Sequence, residues 1–157
     1  MHNLRKPEEA EPHISATDRI GNGVVAGFIA TLALSVLHEP VMIVAEAVGA
    51  DAPVTAWLFH FFVGTLLWGG VFGFAHDYLP GPSWARGAIF ALGAAGIVLV
   101  GIAPFTGAGL FGLELGMFAP VIVTLFHLAY GGILGAIYGK LVDTEEARRH
   151  LAGHAPR

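Results

Sequence analysis

The chain has 157 residues, of which 55% are hydrophobic and only 13% charged, with a formal net charge of −4. Its mean hydropathy of +0.67 suits a chain whose main solvent is lipid rather than water. The absence of cysteine excludes disulfides, thiolate metal sites and iron–sulfur clusters, and the lack of a basic cluster argues against nucleic acid as a partner.

Residues 1–17 are polar, acidic and interrupted by Pro7 and Pro12, and read as a flexible cytoplasmic tail. Thr17 or Asp18 is expected to cap the first helix. Residues 18–141 form the membrane part, with apolar runs near 20–46, 53–77, 84–104 and 117–141. Each run can span roughly 30 Å of hydrocarbon at about 1.5 Å per residue. The first run follows a long polar stretch and lacks a small-residue cleavage site, so it is expected to stay as an anchor. It carries a ridge of small side chains, Gly23, Gly27, Thr31 and Ser35, at four-residue spacing.

The second run ends on His76 and Asp77, which read as a solvated helix end. Residues 78–83 hold two prolines and a glycine and predict a short turn. The third run carries the ridge Gly87, Ala91 and Ala95. Residues 105–116 are apolar and glycine-rich, so they are expected to fold at the outer interface. The fourth run carries Gly131, Gly135 and Gly139, and small-xxx-small ridges of this kind allow helix backbones to approach closely in lipid. Residues 142–157 read as a cytoplasmic tail with a short helix, supported by Glu145 with Arg149 and Glu146 with His150 at i,i+4. Trp57, Tyr78 and Trp84 fall near predicted interfaces as belt anchors.

All Lys and Arg lie in the N-terminal tail (Arg5, Lys6, Arg19), between the second and third runs (Arg86) or at the C-terminal end (Lys140, Arg148, Arg149, Arg157). Positive charge is retained on the cytoplasmic side during insertion, so both termini and the 78–86 loop are expected to be cytoplasmic.

The pattern A-P-V-x-x-x-L-F-H-x-x-x-G-x-x-L occurs at Ala52–Leu67 and again at Ala119–Leu134. Gly23 and Gly87 are 64 residues apart, as are Pro40 and Pro104, so the duplication covers two helices in each copy. Two helices return the chain to its starting side, which makes this a parallel repeat about an axis along the membrane normal. The fold class is therefore an all-α membrane protein: a four-transmembrane-helix bundle of two tandem two-helix repeats.

The duplication places His60 and His127 at matching depth, with His38 and Glu39 of the first helix in the same outer layer. An unpaired ionisable group in lipid costs at least about 2.5 kcal/mol, so the layer is the candidate site. Four readings stay open. Neutral histidines can simply bond hydroxyls or carbonyls on neighbouring helices. His60 and His127 could ligate a b-type haem, with Gly64 and Gly131 making room for the porphyrin. His38, Glu39, His60 and His127 form an N/O set suited to a divalent metal. His38 and Glu39 could instead exchange protons or ions. His38 and Glu39 also break the repeat, because their counterparts are Ile102 and Ala103.

The segments G-x-x-A-T-x-x-x-S-V at Gly27–Val36, H-F-x-x-G-T-x-L-W-G at His60–Gly69, G-A-G-L-F-G at Gly107–Gly112 and H-L-x-Y-G-x-x-L-G-x-x-Y-G at His127–Gly139 carry a resemblance. Over residues 20–141 the chain resembles a family of small bacterial and archaeal four-helix membrane proteins of unknown function. The resemblance implies four helices, a paired histidine pattern and a prokaryotic cytoplasmic (inner) membrane, and it transfers no catalytic residue.

The function expected is that of a non-enzymatic accessory or assembly subunit, with the lipid bilayer and a second copy or a larger membrane complex as partners. A haem- or metal-binding electron-transfer subunit using His60 and His127 is the alternative, and a small proton or ion carrier the third.

Overall fold

The computed structural model describes residues 14–36 and 53–153, and within them the chain is helical with no strand. Helix α1 (Ala16–Leu34) starts where Ser15 takes an extended backbone and its hydroxyl oxygen accepts from the Asp18 N–H at 3.1 Å. Ser15 thus does the capping expected of Thr17 or Asp18. The reason is that both of those residues already lie in the first helical turn.

Helix α2 begins as Pro53–Phe61, widens into π-helix over Phe62–Gly69, returns to α-helix over Gly70–Ala75 and tightens to a 3₁₀ turn at His76–Tyr78. A turn through Gly81, at φ +94°, leads to helix α3. That helix is α-helical over Ser83–Gly96 and π-helical over Ile97–Ile102, and a 3₁₀ turn follows at Ala103–Thr106. A third 3₁₀ segment, Leu110–Leu115, kinked by left-handed backbone at Phe111 and Gly112, precedes helix α4 (Ala119–Gly153).

Helix α4 runs unbroken past Lys140, so the segment expected as a separate short helix forms its last turns. No glycine or proline interrupts residues 140–152. Leu141 and Val142 also pack on the buried core, and the Thr144 hydroxyl donates back to the Lys140 carbonyl at 2.7 Å.

Three helices are long and apolar enough to cross a membrane: Val54–Tyr78, Ser83–Thr106 and Ala119–Ala152, with mean hydropathies of 1.6, 2.3 and 1.8. The described part of α1 is shorter. Large apolar side chains on all four helices face outward, among them Phe28, Leu58, Phe74, Ile97 and Leu125. The interior is built largely from small residues around Phe72, Leu134 and Tyr138. Such a surface matches a hydrocarbon solvent, in which burial gains little and close backbone contact has to hold helices together.

The glycines supply that contact. A Cβ on Gly27 of α1 would lie 2.8 Å from the Gly69 Cα and 2.9 Å from the Gly64 carbonyl oxygen of α2. One on Gly87 of α3 would lie 2.9 Å from the Gly135 Cα of α4. The ridges of α1 and α3 therefore each pack on the helix that follows in the chain.

In α4 the contact glycines keep α-helical four-residue spacing, whereas in α2 Gly64 and Gly69 are five apart across the π-helical stretch. Hydrogen bonds from i to i+5 widen a turn by about one residue, which keeps Gly64 on the face of Gly69 and Gly73. Aromatic rings join helices α2 and α3, with Phe90 centred 5.8 Å from Trp68 and 5.4 Å from Phe72.

Candidate functional site

Two polar clusters lie inside the bundle. In the first, Ser35 of α1 donates its hydroxyl to the Thr31 carbonyl at 2.8 Å, and the same oxygen lies 3.3 Å from Nε2 of His60. A hydroxyl whose proton is committed acts as an acceptor towards His60, so His60 carries its proton on Nε2 and its lone pair on Nδ1. The imidazole stands edge-on to Trp57 and Phe61, at 5.7 and 5.6 Å between centroids.

His127 is held differently. Its Nδ1 donates to the Val123 carbonyl one turn back in α4, at 2.8 Å, which leaves the lone pair on Nε2. Each imidazole is thus fixed by a neighbour on its own side of the bundle, and no hydrogen bond or ring contact joins the two. His38 and Glu39 lie outside the described residues. Among the described residues no three His, Asp or Glu side chains gather as a metal-holding group.

Gly64 and Gly131 have packing contacts. The face of Gly64 is filled by the side chain of Thr31, which is 1% exposed, and the face of Gly131 is filled by Gly87 and Ala91. The room that these glycines would give a porphyrin is already occupied. The Gly64 carbonyl instead accepts a 2.5 Å hydrogen bond from the Tyr130 hydroxyl of α4.

The second cluster sits at the opposite end, where the 3₁₀ turn of α2 meets the starts of α1 and α3. His76, read above as part of a solvated helix end, is 6% exposed. Its ring lies against Tyr138 at 4.4 Å and edge-on to Phe72 at 5.5 Å. Nδ1 is 3.0 Å from Oδ1 of Asp77, and Nε2 is 3.1 Å from Oγ of Ser83. Arg19 pairs with Asp77 from α1, and Nη1 of Arg86 stands 3.2 Å from Nδ1 of His76 and 3.9 Å from Oδ1 of Asp77. A cavity of about 50 Å³ opens beside the cluster, lined by Arg19, His76, Asp77, Tyr138 and Glu146 with Ile14 and Val142.

Sequence reasoning missed this cluster and the two tyrosines. Its members come from all four helices, so no local spacing joins them. The tyrosines did leave a trace: the dipeptide Tyr-Gly recurs at 130–131 and 138–139, two turns apart on α4.

A family model described as a family of unknown function, DUF6789, matches residues 17–149, from the first turn of α1 almost to the end of α4. The chain belongs to DUF6789. No curated protein and no solved structure matches it. Both polar clusters of this DUF6789 chain lie within the matched residues. The DUF6789 assignment names no activity.

Proposed function

We propose that this DUF6789 protein is a multi-pass protein of a prokaryotic cytoplasmic membrane, with four spanning helices in two tandem pairs, both termini cytoplasmic, and an accessory or assembly role. It acts by docking its outer helix faces on a second copy or on a larger membrane complex.

The observation that carries the docking role is the surface of α3. Gly23, Gly27, Gly87 and Gly135 are closed by a neighbouring backbone, whereas Gly93 and Gly96 have nothing within 4 Å among the described residues and lie between exposed Ile89 and Val100. They leave a shallow notch on a lipid-facing helix, a shape that suits an incoming helix better than flexible acyl chains. Two observations support the topology. Arg19 and Arg86 meet at one end of the bundle, the end expected to be cytoplasmic, and Arg149 reaches Asp18 on α1. The tandem pairing is supported by the like contacts of Gly27 with Gly64 and of Ala91 with Gly131.

Light scattering on the full chain, extracted in a mild detergent, tests the role. A protein mass of two or more copies, or a stable co-purifying membrane complex, is the expected result. A lone monomer from membranes at native abundance contradicts it.

The cofactor reading has one observation in its favour. His60 and His127 each keep a ring nitrogen lone pair, on Nδ1 and Nε2 respectively, free of the hydrogen bonds that hold the rings. A Soret band in the purified protein, lost in both His60→Ala and His127→Ala, would establish it, and a colourless, metal-free sample would remove it.

A further inference from the structure

We infer that Ser83 is a nucleophile activated by His76, and that it acts on acyl esters at the membrane surface. This inference is independent of the docking role and of the His60 layer.

The first support is the direction of the hydrogen bonds. Nη1 of Arg86 lies 3.2 Å from Nδ1 and 3.5 Å from Nε2 of His76. An atom that nearly equidistant must sit over the ring face, because in the ring plane it would collide with the carbon between the two nitrogens. Arg86 therefore leaves both in-plane positions to Asp77 and Ser83. An ionised carboxylate only accepts, so the Nδ1 proton of His76 goes to Asp77. The Nε2 lone pair then faces Ser83, whose hydroxyl donates to it across 3.1 Å. Ser83 to His76 to Asp77 is the order in which a serine nucleophile, its base and the group that orients the base are linked.

The second support is the rigidity of the base and the placement of the nucleophile. The His76 ring is in contact with Arg86, Tyr138 and Phe72, and Arg19 anchors Asp77. Gly139 has room for nothing larger than hydrogen, because a Cβ there would lie 2.8 Å from the Ser83 Cβ and 2.9 Å from its Oγ. The small residue is what lets the Ser83 side chain lie against α4. Ser83 is half-buried and is the first residue of α3, whose positive dipole end favours an alkoxide or an oxyanion at that point.

The third support is depth. Ser83 lies between Tyr78 and Trp84, which are 79% and 60% exposed, at the end of two apolar spans. Aromatic residues of this kind mark the headgroup level, where the ester carbonyls of acyl lipids also lie.

In the reaction, Oγ of Ser83 adds to the ester carbonyl carbon while its proton passes to Nε2 of His76. The carbon–oxygen bond to the leaving alcohol breaks, the alcohol takes that proton, and an acyl-serine remains. Water, deprotonated by the same nitrogen, then releases the fatty acid and restores the hydroxyl. Asp77 is a positioning residue that keeps the Nδ1 tautomer.

The test uses the full chain in phosphatidylcholine liposomes, an alkyl fluorophosphonate probe and intact-mass analysis with peptide mapping. One adduct is expected, on Ser83, absent from Ser83→Ala and from SDS-denatured wild type, and forming about a hundredfold more slowly in His76→Gln. A fluorogenic lipid ester in the same liposomes should be cleaved by wild type and not by Ser83→Ala. Failure of the folded chain to label at Ser83, an unchanged rate in His76→Gln, or labelling without cleavage of the lipid ester overturns the inference.

Discussion

Tyr130 donates its hydroxyl to the Gly64 carbonyl at 2.5 Å, and two turns along α4 Tyr138 donates to the Gly73 carbonyl at 3.4 Å. The tyrosines are eight residues apart and their acceptors nine, and the π-helical stretch of α2 absorbs the difference. A glycine carbonyl is reachable there because no side chain of its own shields it. These bonds tie α2 to α4 across the bundle. Tyr130→Phe is expected to lower stability by about 0.6–1.5 kcal/mol, the usual worth of one such bond in a membrane protein or a folded interior. Reversible unfolding in mixed SDS micelles measures it, and an unchanged midpoint would contradict the role of the bond.

Glycine positions separate into closed and open. Gly87→Ala forces a methyl against the backbone of Gly135 and is expected to cost about 1–3 kcal/mol, as overpacking does. Gly21 has nothing within 4 Å among the described residues, so Gly21→Ala is expected to be neutral or to stabilise by up to about 1 kcal/mol through helix propensity. Thermal unfolding of the two variants side by side checks the contrast, and equal effects would argue against backbone contact at Gly87.

At the polar end, Asp18 is held by Ser15 and by Arg149 of α4, which also pairs with Glu145 at 2.9 Å. The Ser15 hydrogen bond, and after it the Arg149 guanidinium, hold the Asp18 carboxyl below the usual carboxylate range. A carboxyl lowered on folding contributes stability above its unfolded value of about 3.9 and loses it as pH falls through the lower folded value. Unfolding midpoints followed down to about pH 2 should fall for wild type, and Asp18→Asn should remove that part of the dependence. An identical acid limb in the variant would show that the contact is idle.

The spans were legible because runs of apolar residues longer than a bilayer is thick have few other uses, as the hydropathy of Ser83–Thr106 illustrates. The ridges at Gly23, Gly27 and Gly87 were legible because four-residue spacing of small residues lines one helix face. Which helix each ridge meets was not, since that depends on loop geometry. Nor was the π-helical shift at Phe62–Gly69, because it answers to the packing of Gly64 rather than to any local residue preference. His76 was misread for a similar reason. A histidine beside an aspartate at a helix end is normally solvated, and only the approach of Tyr138, 62 residues later in the chain, buries it. The candidate layer was legible in part: His60 meets the hydroxyl of the small-residue ridge on α1 at Ser35, whereas the link from Tyr130 to Gly64 needed coordinates.

Disulfide trapping between copies tests the docking account most directly, and a chain without cysteine makes every introduced thiol unique. Gly93→Cys and Gly96→Cys, oxidised in native membranes, are predicted to give a crosslinked dimer or a crosslink to one membrane partner. Gly21→Cys, open but on α1, should stay uncrosslinked under the same conditions. Crosslinking at Gly21 alone, or at none of the three positions, would contradict docking through α3.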